Sequence, residues 1–145
     1  MSLNYDAVDL MWSTTGDFVL GPDGDLADTR FDVLIAIAQD VYDRCKSDIG
    51  DWKEIPLMGA TLSDFTGEPN TAANGRSIRD RLFNALQVYG TVAGSDLSID
   101  VFPVAKDKIA VKIQLRVAPT PQNRYSRILE RVIIYDYVEN HIVSR

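Results

Sequence analysis

Two pairs of carboxylates, Asp51 with Glu54 and Asp64 with Glu68, flank an apolar stretch in the first half of the chain. Paired carboxylates are the minimum equipment for cleaving a glycosidic bond, one side chain giving a proton while the other activates water or attacks. On that chemistry the chain would be a glycosidase with Glu54 or Glu68 as acid and Asp51 or Asp64 as partner. The chain holds 21 acidic residues, however, so such pairs arise without any catalytic role, and a solvated loop explains them as well. Other catalytic constellations lack their parts. His141 is the only histidine and Cys45 the only cysteine, which leaves no material for a usual zinc site within one chain and places the histidine of any triad in a polar tail. Asp17, Asp23, Asp25 and Asp28 lie around a turn but lack the ligand series and closing glutamate of an EF-hand loop. The glycines Gly16, Gly21 and Gly24 match neither a phosphate-binding loop nor a dinucleotide fingerprint. The expectation is no catalytic residue, no metal and no cofactor.

The carboxylate pairs sit in residues 47–67, which carry Gly50, Pro56, Gly59 and Gly67, so no single helix runs through them. The same stretch carries Trp52, Ile55, Leu57, Met58, Leu62 and Phe65, more apolar surface than a solvated linker needs. It must pack against its own domain or a partner.

A helix is expected on either side. In the first, capped by Asp28 or Thr29, Phe31, Leu34, Ile35, Ala38, Val41, Tyr42 and Cys45 recur at steps of three and four, with Asp40 and Arg44 among the polar residues on the other side, and Gly50 is the expected stop. In the second, from about Arg76 to Tyr89, the stripe is Ile78, Leu82, Ala85, Leu86 and Tyr89; Arg76, Arg79 and Arg81 beside Asp80 read as its solvated face, and Gly90 as its stop. From Leu97 the period becomes two. Residues 97–101 and 109–117 read as strands joined through residues 105–108, and Lys112, Gln114 and Arg116 make one face of the sheet wet. Pro119 and Pro121 break the sheet, and residues 128–138 read as a third strand whose apolar run, Val132 to Tyr135, is too continuous for one wet face. Before the helices, residues 17–20 and 25–27 flank Gly21-Pro22-Asp23-Gly24 as a small hairpin.

The sum is an α+β fold, a small antiparallel sheet with two helices packed on one face, in one domain over residues 1–145, with residues 1–11 as an arm and 139–145 as a tail. A formal net charge of -6 disfavours a nucleic-acid partner. The longest apolar run of the first helix is too short for a membrane span, and the start of the chain lacks the pattern of a signal peptide. A lone cysteine fits a reducing compartment.

The order of the pieces is informative. Gly16-Asp17-Phe18-Val19-Leu20, Asp23-Gly24-Asp25-Leu26-Ala27, a helix with Gln39, Gly50-Asp51-Trp52, a downstream Gly59, a second helix and an alternating strand pair follow one another over residues 16–117. This order resembles the baseplate wedge family of contractile phage tails, the W-protein-like or tail lysozyme-like proteins, similar to components of type VI secretion and contractile bacteriocins. The resemblance implies a structural virion component with a sheath-like wedge fold, assembled in the host cytoplasm into the tail baseplate, in several copies around a symmetric ring. Its implied partners are the larger wedge subunits, through a helical bundle, and the first ring of tail sheath protein, through exchanged strands. The family's Glu-Pro-Arg signature is matched by Glu54 and Pro56; no arginine follows before Arg76, which the second helix would have to present. Asp51, Trp52, Glu54, Pro56 and Arg76 are the implied wedge contacts, and Ile133 and Tyr135 the implied strand contacts. A peptidoglycan hydrolase using the loop carboxylates and an unrelated cytosolic adaptor are the alternatives.

Overall fold

The computed structural model describes residues 8–13, 15–30, 32–90, 92–119 and 124–144. The expected helix position Phe31 and much of the proline-rich break, residues 120–123, lie outside them.

Helix α1 spans Val33–Lys46. Its cap is Asp32, whose carboxylate accepts from the N–H of Leu34 at 3.0 Å, rather than Asp28 or Thr29. Those two are occupied upstream: Thr29 Oγ1 accepts from the N–H of Asp9, and Asp28 binds Arg30. The helix ends at Lys46, four residues before Gly50, as Ser47 turns extended and its N–H closes on the carbonyl of Asp43. Helix α2 spans Ala72–Gln87 and so begins before Arg76. Thr71 caps it, its side chain accepting from the N–H of Asn74. Gly75 in its first turn is buried, and a methyl group there would lie 3.2 Å from Ile109 Cδ1, so the missing side chain lets the helix approach the sheet.

Strands β1 (Leu97–Ala105), β2 (Lys108–Val117), β3 (Arg127–Asp136) and β4 (His141–Ser144) form one antiparallel sheet in that order. The tail expected over residues 139–145 is therefore corrected: His141–Ser144 pairs with β3, Tyr135 opposite Ile142 and Ile134 opposite Val143. The turn between them is held by Asp136 Oδ1, which accepts from the N–H groups of Val138 and Glu139.

Odd-numbered residues of β1 to β3 face the helices. Ile109, Val111, Ile113, Leu115, Leu129, Ile133 and Tyr135 are buried against Ile37, Val41, Ile78, Leu82 and Leu86. Each such side chain contributes about 1.5–3 kcal/mol on leaving water. On the helix-free face Phe102, Ala110, Ile134 and Val143 line up across all four strands, and beside them Lys112 pairs with Glu130 at 3.5 Å. The continuous apolar run of β3 is thus divided, Ile133 and Tyr135 facing the chain's own helices and Val132 and Ile134 half-buried on the other side.

The N-terminal hairpin is larger than expected. Met11 N–H donates to the carbonyl of Ala27, Ala27 N–H to that of Val19, and Val19 N–H to that of Met11, at 2.9, 2.8 and 3.2 Å. Three short segments therefore close a ring of hydrogen bonds on one another. Residues 9–11, expected in the arm, belong to this ribbon. Gln39 of α1 clamps it, accepting from the N–H of Trp12 and donating to the carbonyl of Leu10.

A candidate interaction site on the central loop

Residues 47–67 divide into an inner and an outer half. Met58, Ala60, Leu62 and Phe65 are buried in the core, the last two in a 3-10 turn, Leu62–Phe65. Gly59 stands between the halves with φ 134°, and a methyl group there would meet the carbonyl oxygen of Ser47 at 2.6 Å. Only glycine passes that point. The N–H groups of Ala60 and Thr61 both close on the Ser47 carbonyl, Tyr135 OH donates to the carbonyl of Leu62 at 2.7 Å, and the N–H of Gly67 donates to that of Tyr137. Arg81 of α2, expected on a solvated face, instead donates to the carbonyl of Thr61 and pairs with Asp64 at 2.7 Å.

The outer half projects. Ile49, Trp52 and Leu57 are exposed, Leu57 at 60%, and Pro56 beside it is exposed too. The tip is nonetheless built: Trp52 Nε1 donates to Ser47 Oγ at 2.9 Å, Gly50 N–H to the carbonyl of Pro56, and Leu57 N–H to Tyr89 OH at 3.1 Å. Tyr89 adopts a left-handed φ of 62° just past α2 and is itself half exposed. Apolar side chains held out by a bonded backbone lose little conformational freedom on docking, which favours association.

The structure brings Asp51, Trp52, Glu54 and Pro56 together on this tip and separates Arg76 from them. Tyr89 follows the tip's end of α2, whereas Arg76 is its fifth residue. The eleven steps from Arg76 to Gln87 at 1.5 Å rise span roughly 16 Å along the axis. Ile133 and Tyr135 are buried in the core, at 1% and 0% exposure, so the chain's own helices, not a partner, cover their side chains.

Glu54 and Glu68 are exposed, whereas the aspartates are used locally. Asp51 Oδ2 accepts from the N–H of Asp48, Asp48 Oδ2 accepts from Ser63 Oγ at 2.6 Å, and Asp64 holds Arg81. A cleft of about 150 Å³ between the loop and β4 is lined by Lys46, Asp48, Asp51 and His141 among others. Among the described residues no group of three histidine, cysteine or acidic side chains is placed to hold a metal ion, and no helix is long and apolar enough to cross a membrane. Cys45 is enclosed, and its burial pushes the thiol up to about 12.

Two contributors escape a reading of the sequence. Arg44 is buried at 5% exposure and donates to the carbonyls of Ala85 and Val88, at 3.1 and 2.9 Å, with Asp40 bonded to its Nε. It thereby fixes the end of α2 from which Tyr89 reaches the tip. Ser47, the acceptor for Trp52, has no signal in the sequence beyond its place after a helix. Comparison with protein-family models, with curated proteins and with solved structures finds no match for this chain.

Proposed function

We propose that the protein is a structural component of a contractile phage tail baseplate, a wedge subunit that joins the larger wedge proteins to the first ring of sheath. The observation that carries this reading is the preorganised apolar tip of Ile49, Trp52, Pro56 and Leu57, with Asp51 and Glu54 at its side, on a loop otherwise sealed into the domain. The order of motifs over residues 16–117 supplies the kind of assembly. The tip docks on the wedge bundle, and an edge of the sheet accepts a sheath strand by main-chain pairing. Of the two edges, β1 carries Pro103 and Asp100, residues that blunt an edge, whereas β4, His-Ile-Val-Ser, carries neither proline nor lysine. We therefore assign the strand exchange to β4 and the wedge contact to the tip.

The test is assembly of tails in cells from which the gene has been removed, complemented with wild type or with Trp52→Ser/Leu57→Ser. Wild type restores sheathed tails that contain the protein. The double variant is missing from the tails yet folds, because both side chains lie outside the core and the one hydrogen bond lost is that of Trp52 to Ser47. Normal sheathed tails without the gene, or full incorporation of the double variant, defeat the proposal.

A further inference from the structure

The N-terminal ribbon carries a second surface. Trp12 is bridged to Phe18 and Leu20 to Leu26, and Leu10 is bridged to Asp28. Paired residues share a face, and so do residues two apart along a strand, so Leu10, Trp12, Phe18, Leu20 and Leu26 all stand on the same side. All five are exposed, Leu20 at 66%, and the rings of Trp12 and Phe18 stack with centroids 4.4 Å apart. The alternate residues Met11, Val19 and Ala27, which close the backbone ring, are the half-buried ones. The usual arrangement, apolar in and polar out, is inverted. Because the three segments bond to one another, the ribbon offers side chains rather than a free strand edge to whatever covers it.

Charge selects the occupant. Residues 8–29 contain Asp9, Asp17, Asp23, Asp25 and Asp28 and no lysine, arginine or histidine. Arg30, which follows, is paired with Asp28 at 2.7 Å. A second copy is disfavoured because two copies at a formal -6 repel. We infer that the ribbon docks a different protein through an apolar surface flanked by lysine or arginine, such as the basic amphipathic face of a helix. Apolar packing supplies the affinity; Asp23 in the turn and Asp9, Asp17 and Asp25, which by the same alternation stand behind the apolar face, give the ribbon a negative local field that selects a basic flank and speeds encounter. This surface is separate from the loop tip and stands whether or not the protein belongs to a tail.

The test uses fluorescein-labelled helical peptides and fluorescence anisotropy with the full chain. One peptide is an amphipathic helix of leucine and lysine, a second replaces lysine with glutamate, and a third replaces leucine with serine. The leucine-lysine peptide is expected to bind, and the other two are not. Trp12→Ser/Phe18→Ser and, separately, Asp23→Lys/Asp25→Lys each weaken binding about tenfold or more, whereas Val138→Ser, exposed in the turn between β3 and β4, leaves it unchanged. The aspartate pair lies in an exposed turn, so that variant keeps the test valid if the aromatic variant fails to fold. Failure of the leucine-lysine peptide to bind, equal binding of the glutamate peptide, or unchanged binding by both ribbon variants overturns the inference. So does sedimentation of the wild type as an oligomer that the ribbon variants dissolve, or ribbon-dependent binding to neutral lipid vesicles, since these make a second copy or a membrane the occupant.

Discussion

Arg44 Nη1 donates to the carbonyl of Val88 at 2.9 Å, so a side chain of α1 caps the last turn of α2 from inside the protein. The carbonyls at a helix end have no partners of their own, and the guanidinium also opposes the negative end of the helix dipole. Asp40, one turn earlier on α1, balances the charge at 2.9 Å.

Replacing Arg44 with Met removes the hydrogen bonds to Ala85 and Val88 and the ion pair with Asp40. Hydrogen bonds to a charged group contribute about 1.5–3 kcal/mol each, so the variant is expected to lose about 3–5 kcal/mol. At this chain length that lowers the melting temperature by roughly 6–20 °C. Thermal unfolding followed by circular dichroism measures it, and a shift under 2 °C would show that the cap contributes nothing. Arg44→Lys does not restore the wild-type value, because an ammonium cannot spread over the same three oxygens.

At Gly59 the expected effect comes from the backbone. Gly59→Ala places a methyl group 2.6 Å from the Ser47 carbonyl oxygen and 2.7 Å from the Asp48 carbonyl carbon, at a φ of 134° that side chains avoid. The loop has to open to accommodate it, at a cost of about 2 kcal/mol or more. Urea unfolding reads the loss; Gly50→Ala, with φ 98° but nothing within 4 Å, is the control and is expected to cost less.

Tyr135 and Tyr137 lie edge to face with ring centroids 5.2 Å apart, yet their hydroxyls differ. That of Tyr135 donates to the Leu62 carbonyl, and that of Tyr137 is buried without a hydrogen-bond partner among the described residues. Tyr135→Phe therefore costs about 1–2 kcal/mol, whereas Tyr137→Phe is neutral or stabilising by up to about 1 kcal/mol. Equal losses in urea unfolding would refute the distinction.

Asp136 gives stability a dependence on acid. Its bond with the Lys108 ammonium at 2.9 Å, aided by the N–H groups of Glu139 and Val138, lowers its carboxyl from the ordinary 3.8 to about 2. A group lowered in the folded state stabilises the protein above its unfolded value and loses that contribution as pH falls from about 4 to about 2. Lys108 is shifted the opposite way by the same bond, up from 10.5, so its contribution holds at neutral pH and fades as pH rises past that value. Asp136→Asn is expected to be less stable than wild type at pH 7 and to approach it near pH 2. Urea midpoints that stay equally far apart at both pH values would contradict this.

How much of this was legible follows from how local each signal is. The stripes of α1 and α2 and the alternation in β1 and β2 are periodic, and the structure bears out those elements, the α+β layering and the wet face around Lys112. The missed pieces rest on distant partners. Arg44 lies on the polar side of its helix by spacing, and the carbonyls it binds are 41 and 44 residues away. The four residues of β4 have a polar start and acquire strand character only by pairing with β3. The first turn of α2, Ala-Ala-Asn-Gly, reads as a connector because Gly75 is a poor helix former, and its value is the close approach to Ile109. The loop tip was visible as apolar residues, but which of them stay outside is decided by Gly59 and by Tyr89, neither of which carries that information in its own neighbourhood.

The hydrogen bond between Tyr135 and Leu62 joins positions 73 apart. During synthesis, at roughly 5–20 residues per second, residues 47–67 are therefore made several seconds before the tyrosine that fastens their inner half. Until then Met58, Leu62 and Phe65 have only part of their enclosure. The inner half of the loop is fastened only once Tyr135 has been made, so a nascent chain carries Trp52 and Leu57 on a support that still lacks this bond.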